Sequence, residues 1–132
     1  MRAVHFVLYS MLGFLAAPAA AKPVYLDCTT SDGINAPSVF QITFDEEAGT
    51  MSVTYVTGAA DKLQAVFTAN EVVGSNMTLL STVESTDQWR INRATGHLTH
   101  STTMGVARYN LSEPPIIREG SCAVAKETPR QF

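Results

Sequence analysis

The sequence predicts an all-β domain, a small antiparallel meander of roughly seven to nine strands that closes into a barrel or a sandwich and is latched by one disulfide. Short stretches of alternating apolar and polar residues recur along the chain, and turn-forming residues separate them every 8–12 residues or so. No stretch shows the 3.6-residue period of an amphipathic helix. One cysteine lies near each end of the part that follows the leader.

The first half of the domain alternates most clearly. Strands are predicted at 24–29, 37–45, 50–57 and 63–68. The second and third of these flank the turn-like segment 46–49, so they predict a β-hairpin. Phe40, Ile42 and Phe44 fall on one face of its first strand, and the residues between them fall on the other.

The second half contains more polar residues. Turns or loops are predicted at 70–71, 74–76, 85–87, 94–96 and 112–115, with a short apolar piece at 72–73. Strands are predicted between them at 77–84, 88–93, 97–103, 106–111 and 120–125. The pair around 94–96 predicts a second hairpin.

The first 21 residues have the pattern of a cleavable secretory signal peptide. Arg2 precedes the apolar stretch 6–17, and small residues follow before Lys22. The apolar core of about twelve residues is shorter than the ~20 that span a bilayer. We expect cleavage after Ala21, although an uncleaved anchor is the alternative. The product is then a secreted or periplasmic protein with one β domain over 22–125 and a flexible polar tail over 126–132.

Charge restricts the partners of this product. Removing Arg2 leaves eight of the nine Lys and Arg residues against twelve Asp and Glu residues, so the net charge is about −4. Nucleic-acid binding needs concentrated positive charge, and so does electrostatic attachment to a membrane. The sequence therefore indicates neither, and it leaves an unknown protein or a small molecule as partner.

The two cysteines, Cys28 and Cys122, predict a disulfide, because an even number of cysteines in an oxidising compartment normally pairs. Their bond would join the first and last strands, with Cα atoms about 4.4–6.8 Å apart. Two free thiols are the alternative. Neither cysteine lies in a C-x-x-C motif or beside a histidine, so neither is expected to be catalytic.

No residue pattern indicates catalysis, a metal or a cofactor. His97 and His100 are three residues apart on a predicted strand, so their side chains should point to opposite faces and cannot chelate one ion. The chain is therefore expected not to be an enzyme.

Asn76 and Asn110 match the N-glycosylation pattern, which matters only in a eukaryotic source.

One predicted hairpin concentrates the basic residues of this acidic protein. Two interpretations remain open, a partner-contact patch or a solvated face with the tryptophan turned into the core. The residues concerned are Trp89, Arg90, Arg93, His97 and His100.

Residues 89–98, WRINRATGHL, resemble an I-N/D-R-x-T-G-x-L hairpin in small exported bacterial proteins of uncharacterised function. Those proteins also carry one cysteine in the first strand and one in the last. A weaker likeness is to periplasmic inhibitors of C-type lysozyme, which are small antiparallel barrels. The segments 25–28, 32–33 and 40–44 are similar to their opening, but the Ser-Gly-x-x-Tyr loop that such inhibitors insert into the enzyme is absent here.

Two functions remain open on this basis. The first is a non-enzymatic envelope interaction domain or inhibitor-like module of unknown partner. The alternative is a carrier of a small apolar ligand inside the barrel. The same large side chains could line a cavity or fill one, and filling is the usual case in small barrels. They are Phe40, Phe44, Tyr55, Phe67, Trp89 and Leu98.

Overall fold

The computed structural model describes residues 22–106 and 111–125. The predicted signal peptide, the predicted tail over 126–132 and Asn110 therefore lie outside the described residues, as does most of the strand predicted at 106–111. Nine strands occur within the described ranges: β1 Val24–Ser31, β2 Ser38–Asp45, β3 Thr50–Tyr55, β4 Ala60–Phe67, β5 Glu71–Leu80, β6 Val83–Asn92, β7 His97–Val106, β8 Leu111–Ser112 and β9 Ile116–Val124.

Eight of the strands close into an antiparallel barrel, so the predicted fold class is confirmed. Each strand from β1 to β7 pairs with the next along the chain, and β9 completes the ring by pairing with both β7 and β1. Within the described ranges, the two-residue strand β8 pairs with the end of β7 alone. Closure covers the edges that an open sheet would expose.

The seam between β1 and β9 carries the predicted disulfide. Cys28 and Cys122 are bonded, with Cα atoms 4.1 Å apart, slightly closer than expected. They lie directly opposite each other, and the Cys122 N–H donates to the Gly96 carbonyl rather than to β1. Such non-hydrogen-bonded pairs have the shortest Cα separation in antiparallel sheets, about 4.5 Å. Next to it, a Cβ on Gly120 would overlap the carbonyl oxygen of Thr29, so glycine permits this close approach.

Alternate residues of every barrel strand fill the interior. The largest side chains that are almost completely buried are Phe40, Ile42, Met51, Leu63, Ile91, Leu98, Val53 and Val72. The rings of Phe40 and Trp89 meet edge to face at 5.1 Å. The middle of the barrel is therefore a packed core.

The region from 71 to 92 differs from the sequence prediction. The predicted turn at 74–76 and the predicted loop at 85–87 are wrong, since both segments belong to the strands β5 and β6. The hairpin turn is instead Ser81-Thr82, inside the strand predicted at 77–84, and Ser81 has a positive φ of 59°. Gly74 is small for a packing reason, because a Cβ there would lie 2.8 Å from the Met51 sulfur.

Four further strands extend beyond their predicted bounds, and of these β1 continues to Ser31 and β7 to Val106. Strand β4 begins at Ala60 rather than at 63, and β9 begins at Ile116 rather than at 120. Both additions carry polar or exposed side chains, which give no alternating signal, and pairing with β3 and β7 organises them.

Candidate functional site

The barrel has two open ends, and at one of them the strands β5, β6 and β7 separate from their neighbours β4 and β9. Strand β5 pairs with β4 only through Val72–Ser75, and β7 pairs with β9 only as far as Thr102. Beyond these points β5, β6 and β7 remain paired with one another. We call this three-stranded extension the flap; it comprises residues 76–80, 83–87 and 103–106.

The flap exposes large apolar side chains on both faces. Met77 and Leu79 alternate with the inward-facing Gly74, so they lie on the outer face, and they are 66% and 67% exposed. Leu80 lies on the inner face opposite Val83 and is 67% exposed. Clustered apolar exposure of this kind marks binding surfaces more often than isolated apolar residues do.

The flap also has an open backbone edge on β5. The Ala65 N–H donates to the Gly49 carbonyl at 2.9 Å, so the backbone groups of Ala65 face β3. Successive residues of a strand direct their backbone groups to opposite sides, so the residues before and after Ala65 form hydrogen bonds with β5. In β5 the residues bonded to β4 are then Val73 and Ser75. Met77 and Leu79 present their N–H and C=O groups on this same edge, where the described part of the chain provides no strand partner.

A cluster of polar side chains lies at the base of the flap, inside the mouth of the barrel. The carboxylate oxygen Oδ1 of Asp87 accepts hydrogen bonds from the Thr102 hydroxyl at 2.7 Å and from His100 Nε2 at 3.1 Å. The His100 ring stacks on Trp89 with centroids 3.7 Å apart. These contacts hold the imidazole flat against the top of the core.

Burial lowers the pKa of His100, and the charge of Arg118 lowers it further, although the hydrogen bond and charge of Asp87 oppose this. The imidazole is therefore neutral at neutral pH and donates its Nε2 hydrogen to the carboxylate. The Thr102 hydroxyl donates to the carboxylate and not to the imidazole. Asp87, His100 and Thr102 thus form a structural hydrogen-bond network and not a nucleophile–base pair.

On the facing wall, the Tyr55 hydroxyl donates to Asp61 at 3.2 Å. Burial and the charge of Asp61 raise the pKa of Tyr55 to about 12, so the phenol stays protonated. Within residues 22–106 and 111–125, no three His, Cys, Asp or Glu side chains gather where they could hold a metal ion.

The neutral state of His100 predicts a pH dependence. The pKa of His100 is lower in the folded protein than the ordinary histidine value of 6.5 in the unfolded chain. As the pH falls through 6.5, the unfolded chain therefore binds more protons than the folded protein. The free energy of unfolding should then decrease as the pH is lowered from about 7.5 towards about 5. The slope from this group is at most about 1.4 kcal/mol per pH unit. Urea denaturation across this range should show a shallower fall for His100→Gln than for the wild type. The exposed His97 is the matched control, and equal slopes for His100→Gln and His97→Gln would contradict the assignment.

The opposite end of the barrel contains an open cavity of about 290 Å³. Its floor is apolar, and the turn between β6 and β7, residues 92–96, forms one rim. Outside this rim, the residues that line the cavity are Val24, Leu26, Phe44, Ile91, Cys122 and Val124.

The five residues of the predicted contact patch do not form one surface. The structure brings Trp89 and His100 together inside the barrel mouth, where Trp89 is buried. Arg90 lies on the outer wall and pairs with Glu71 at 2.8 Å.

The other two patch residues lie at the opposite end. Arg93 donates to the Thr68 carbonyl at 2.8 Å and lies 3.4 Å from Glu46, while His97 is exposed. His97 and His100 lie on opposite faces of β7, as their spacing requires. Both arginines are thus occupied by local partners.

Asp87, Thr102 and the flap edge were missed by the sequence reasoning. A signal for the first two exists, because Asp87 is two residues before Trp89 and Thr102 is two residues after His100, so each pair shares a face. The open edge has no comparable sequence signal, since it depends on where β4 and β5 separate.

The fold and the site together define a disulfide-latched, eight-stranded antiparallel barrel with an apolar flap. Comparison of the chain with protein-family models, curated proteins and solved structures finds no match. Within the described residues, no helix is long and apolar enough to cross a membrane.

Proposed function

We propose that this chain is an exported, non-enzymatic interaction domain that binds a protein partner by strand addition at the flap. The observation that carries this proposal is the open β5 edge, Asn76–Leu80, where backbone groups without a strand partner among the described residues coincide with exposed Met77, Leu79 and Leu80. A strand added there gains main-chain hydrogen bonds and covers apolar side chains at the same time.

The composition of the edge supports this proposal. Edge strands that avoid association usually carry lysine, proline or inward-pointing charges. Residues 76–80, NMTLL, contain none of these. Among the described residues, most of the sheet is paired on both sides, whereas residues 76–80 combine an open edge with large exposed apolar side chains. The packed core also leaves the middle of the barrel little room for a ligand.

Export is part of the proposal and is supported by the leader pattern and by a disulfide, which persists in oxidising compartments. N-terminal sequencing of material recovered outside the cytoplasm should begin near Lys22. An intact Met1 in that material would contradict it.

The test of flap binding is capture of partners from the exported fraction by immobilised mature protein. Met77→Asp/Leu79→Asp places two charges on the outer face of the flap without touching the core, so it should fold normally and lose at least about tenfold of the captured partner. Val66→Asp is the matched control, because Val66 is 66% exposed on the outer face of β4 within the paired wall. It should capture as much as the wild type.

Equal capture by the double variant and by Val66→Asp would contradict flap binding. Thermal melting of all three proteins verifies that any loss of binding is not a loss of fold, since exposed substitutions usually change stability by less than about 0.5 kcal/mol each.

A second candidate function is binding of a small apolar ligand, and the cavity at the opposite end of the barrel favours it. Its volume of about 290 Å³ lies at the lower limit of ligand sites, about 300 Å³. An uncharged apolar fluorophore should then bind the mature protein, and Val124→Trp, which narrows the cavity, should reduce the binding. Absence of saturable binding, or binding that Val124→Trp leaves unchanged, would rule this candidate out.

A further inference from the structure

We infer that the strand added to the flap is the same strand of a second copy, with Asn76–Leu80 of the two copies paired antiparallel about a two-fold axis at Thr78. This inference rests on the proposed function, because it names the partner of the same edge. Such an interface is isologous, with one patch used by both copies.

The backbone of the edge matches itself in this register. Met77 and Leu79 each present one N–H and one C=O on the open side of β5. With Thr78 on the axis, Met77 lies opposite Leu79 of the second copy, and Leu79 lies opposite Met77 of the second copy. Each opposed pair exchanges two hydrogen bonds, as the hydrogen-bonded pairs of an antiparallel ladder do. The four exposed groups of one copy are therefore satisfied by the four of the other.

The side chains match in the same register. Opposed residues of an antiparallel pair share a face, so Met77 would contact Leu79 of the second copy on the outer face. Both are about two-thirds exposed in the single copy, and pairing would cover part of this surface. Thr78 would lie beside Thr78 of the second copy on the inner face.

Charge also favours a second copy. Residues 76–80 are uncharged, so self-pairing places no like charges opposite each other, whereas a strongly charged peptide would find no counter-charge on this strand. The acidic net charge of the whole chain adds only a screened, longer-range repulsion.

The small size of the edge predicts a weak dimer. Stable interfaces bury about 800 Å² and about 20–30 residues on each partner. Five residues a side fall well below this, so the dimer should be weak. Self-association should therefore be measured at high protein concentration.

Cross-linking of Thr78→Cys tests the register. Thr78 and Thr78 of the second copy would form a non-hydrogen-bonded pair with Cα atoms about 4.5 Å apart. The native Cys28–Cys122 pair spans the β1–β9 seam in this way, at 4.1 Å. The mature Thr78→Cys protein at about 0.5 mM should form a covalent dimer under mild oxidation at least about tenfold faster than Val66→Cys, whose cysteine also replaces an exposed residue. Peptide mapping should place the new bond between the two copies of residue 78 and leave the native disulfide intact.

Equal cross-linking rates for the two variants would overturn the inference. Sedimentation equilibrium gives a second measurement without an added thiol, in which the wild-type mass should rise with concentration towards that of a dimer while Met77→Asp/Leu79→Asp remains a monomer. If the wild type stays monomeric but captures another protein through the flap, the inference fails and the proposed function stands. If neither self-association nor flap-dependent capture occurs, both fail.

Discussion

Replacing both cysteines by alanine is expected to lower the free energy of unfolding by about 4–5 kcal/mol and the Tm by about 20 °C or more. The bond joins residues 94 positions apart and so closes a loop that contains most of the domain. Without the bond, the unfolded chain has a higher conformational entropy, which stabilises the unfolded state relative to the folded protein. The same bond lies at the β1–β9 seam, where two distant parts of the chain pair to close the barrel. Thermal and urea denaturation of the mature protein under oxidising conditions measure both quantities.

The control for this experiment is the neighbouring seam pair. Thr29→Ala/Ser121→Ala changes two exposed residues that are opposed on the same two strands, and it leaves the covalent bond in place. It should cost at most about 1 kcal/mol in total, since exposed substitutions usually cost about 0.5 kcal/mol or less each. A Cys28→Ala/Cys122→Ala variant that melts within a few degrees of the wild type would contradict the role of the latch.

The parts of the fold that the sequence predicts are those where one face of a strand is buried along its length. In the hairpin of β2 and β3, Phe40, Ile42 and Phe44 alternate with less apolar residues because every second position enters the core. The seam was predictable for a different reason, since two cysteines allow only one pairing.

The region around the flap could not be predicted because its side chains obey other constraints. Gly74 and Ser75-Asn76 resemble a turn, but the glycine is required by Met51 and the two polar residues are exposed on a continuing strand. Residues 85–87 resemble a loop, but they are polar because they leave the core for the barrel mouth. The actual turn, Ser81-Thr82, has neither glycine nor proline to mark it.

The candidate site also has parts that the sequence predicts and parts that it does not. The opposite orientation of His97 and His100 follows from their spacing alone. The basic residues of the hairpin suggested a shared surface, but strand alternation separates Arg90 from Trp89, and local carboxylates occupy both arginines. Identifying the flap requires the register of β4 against β5, which a single sequence does not specify.

The central claim is that the β5 edge is open in the single copy and is covered on binding, and residue-resolved amide hydrogen exchange tests it most directly. At low concentration the Met77 and Leu79 amides should exchange at least about a hundredfold faster than those of Val73 and Ser75, which face the same side but are bonded to β4. Adding partner, or raising the protein concentration, should slow Met77 and Leu79 selectively. Slow exchange of these two amides in the dilute monomer, or unchanged fast exchange in the saturated complex, would contradict the account.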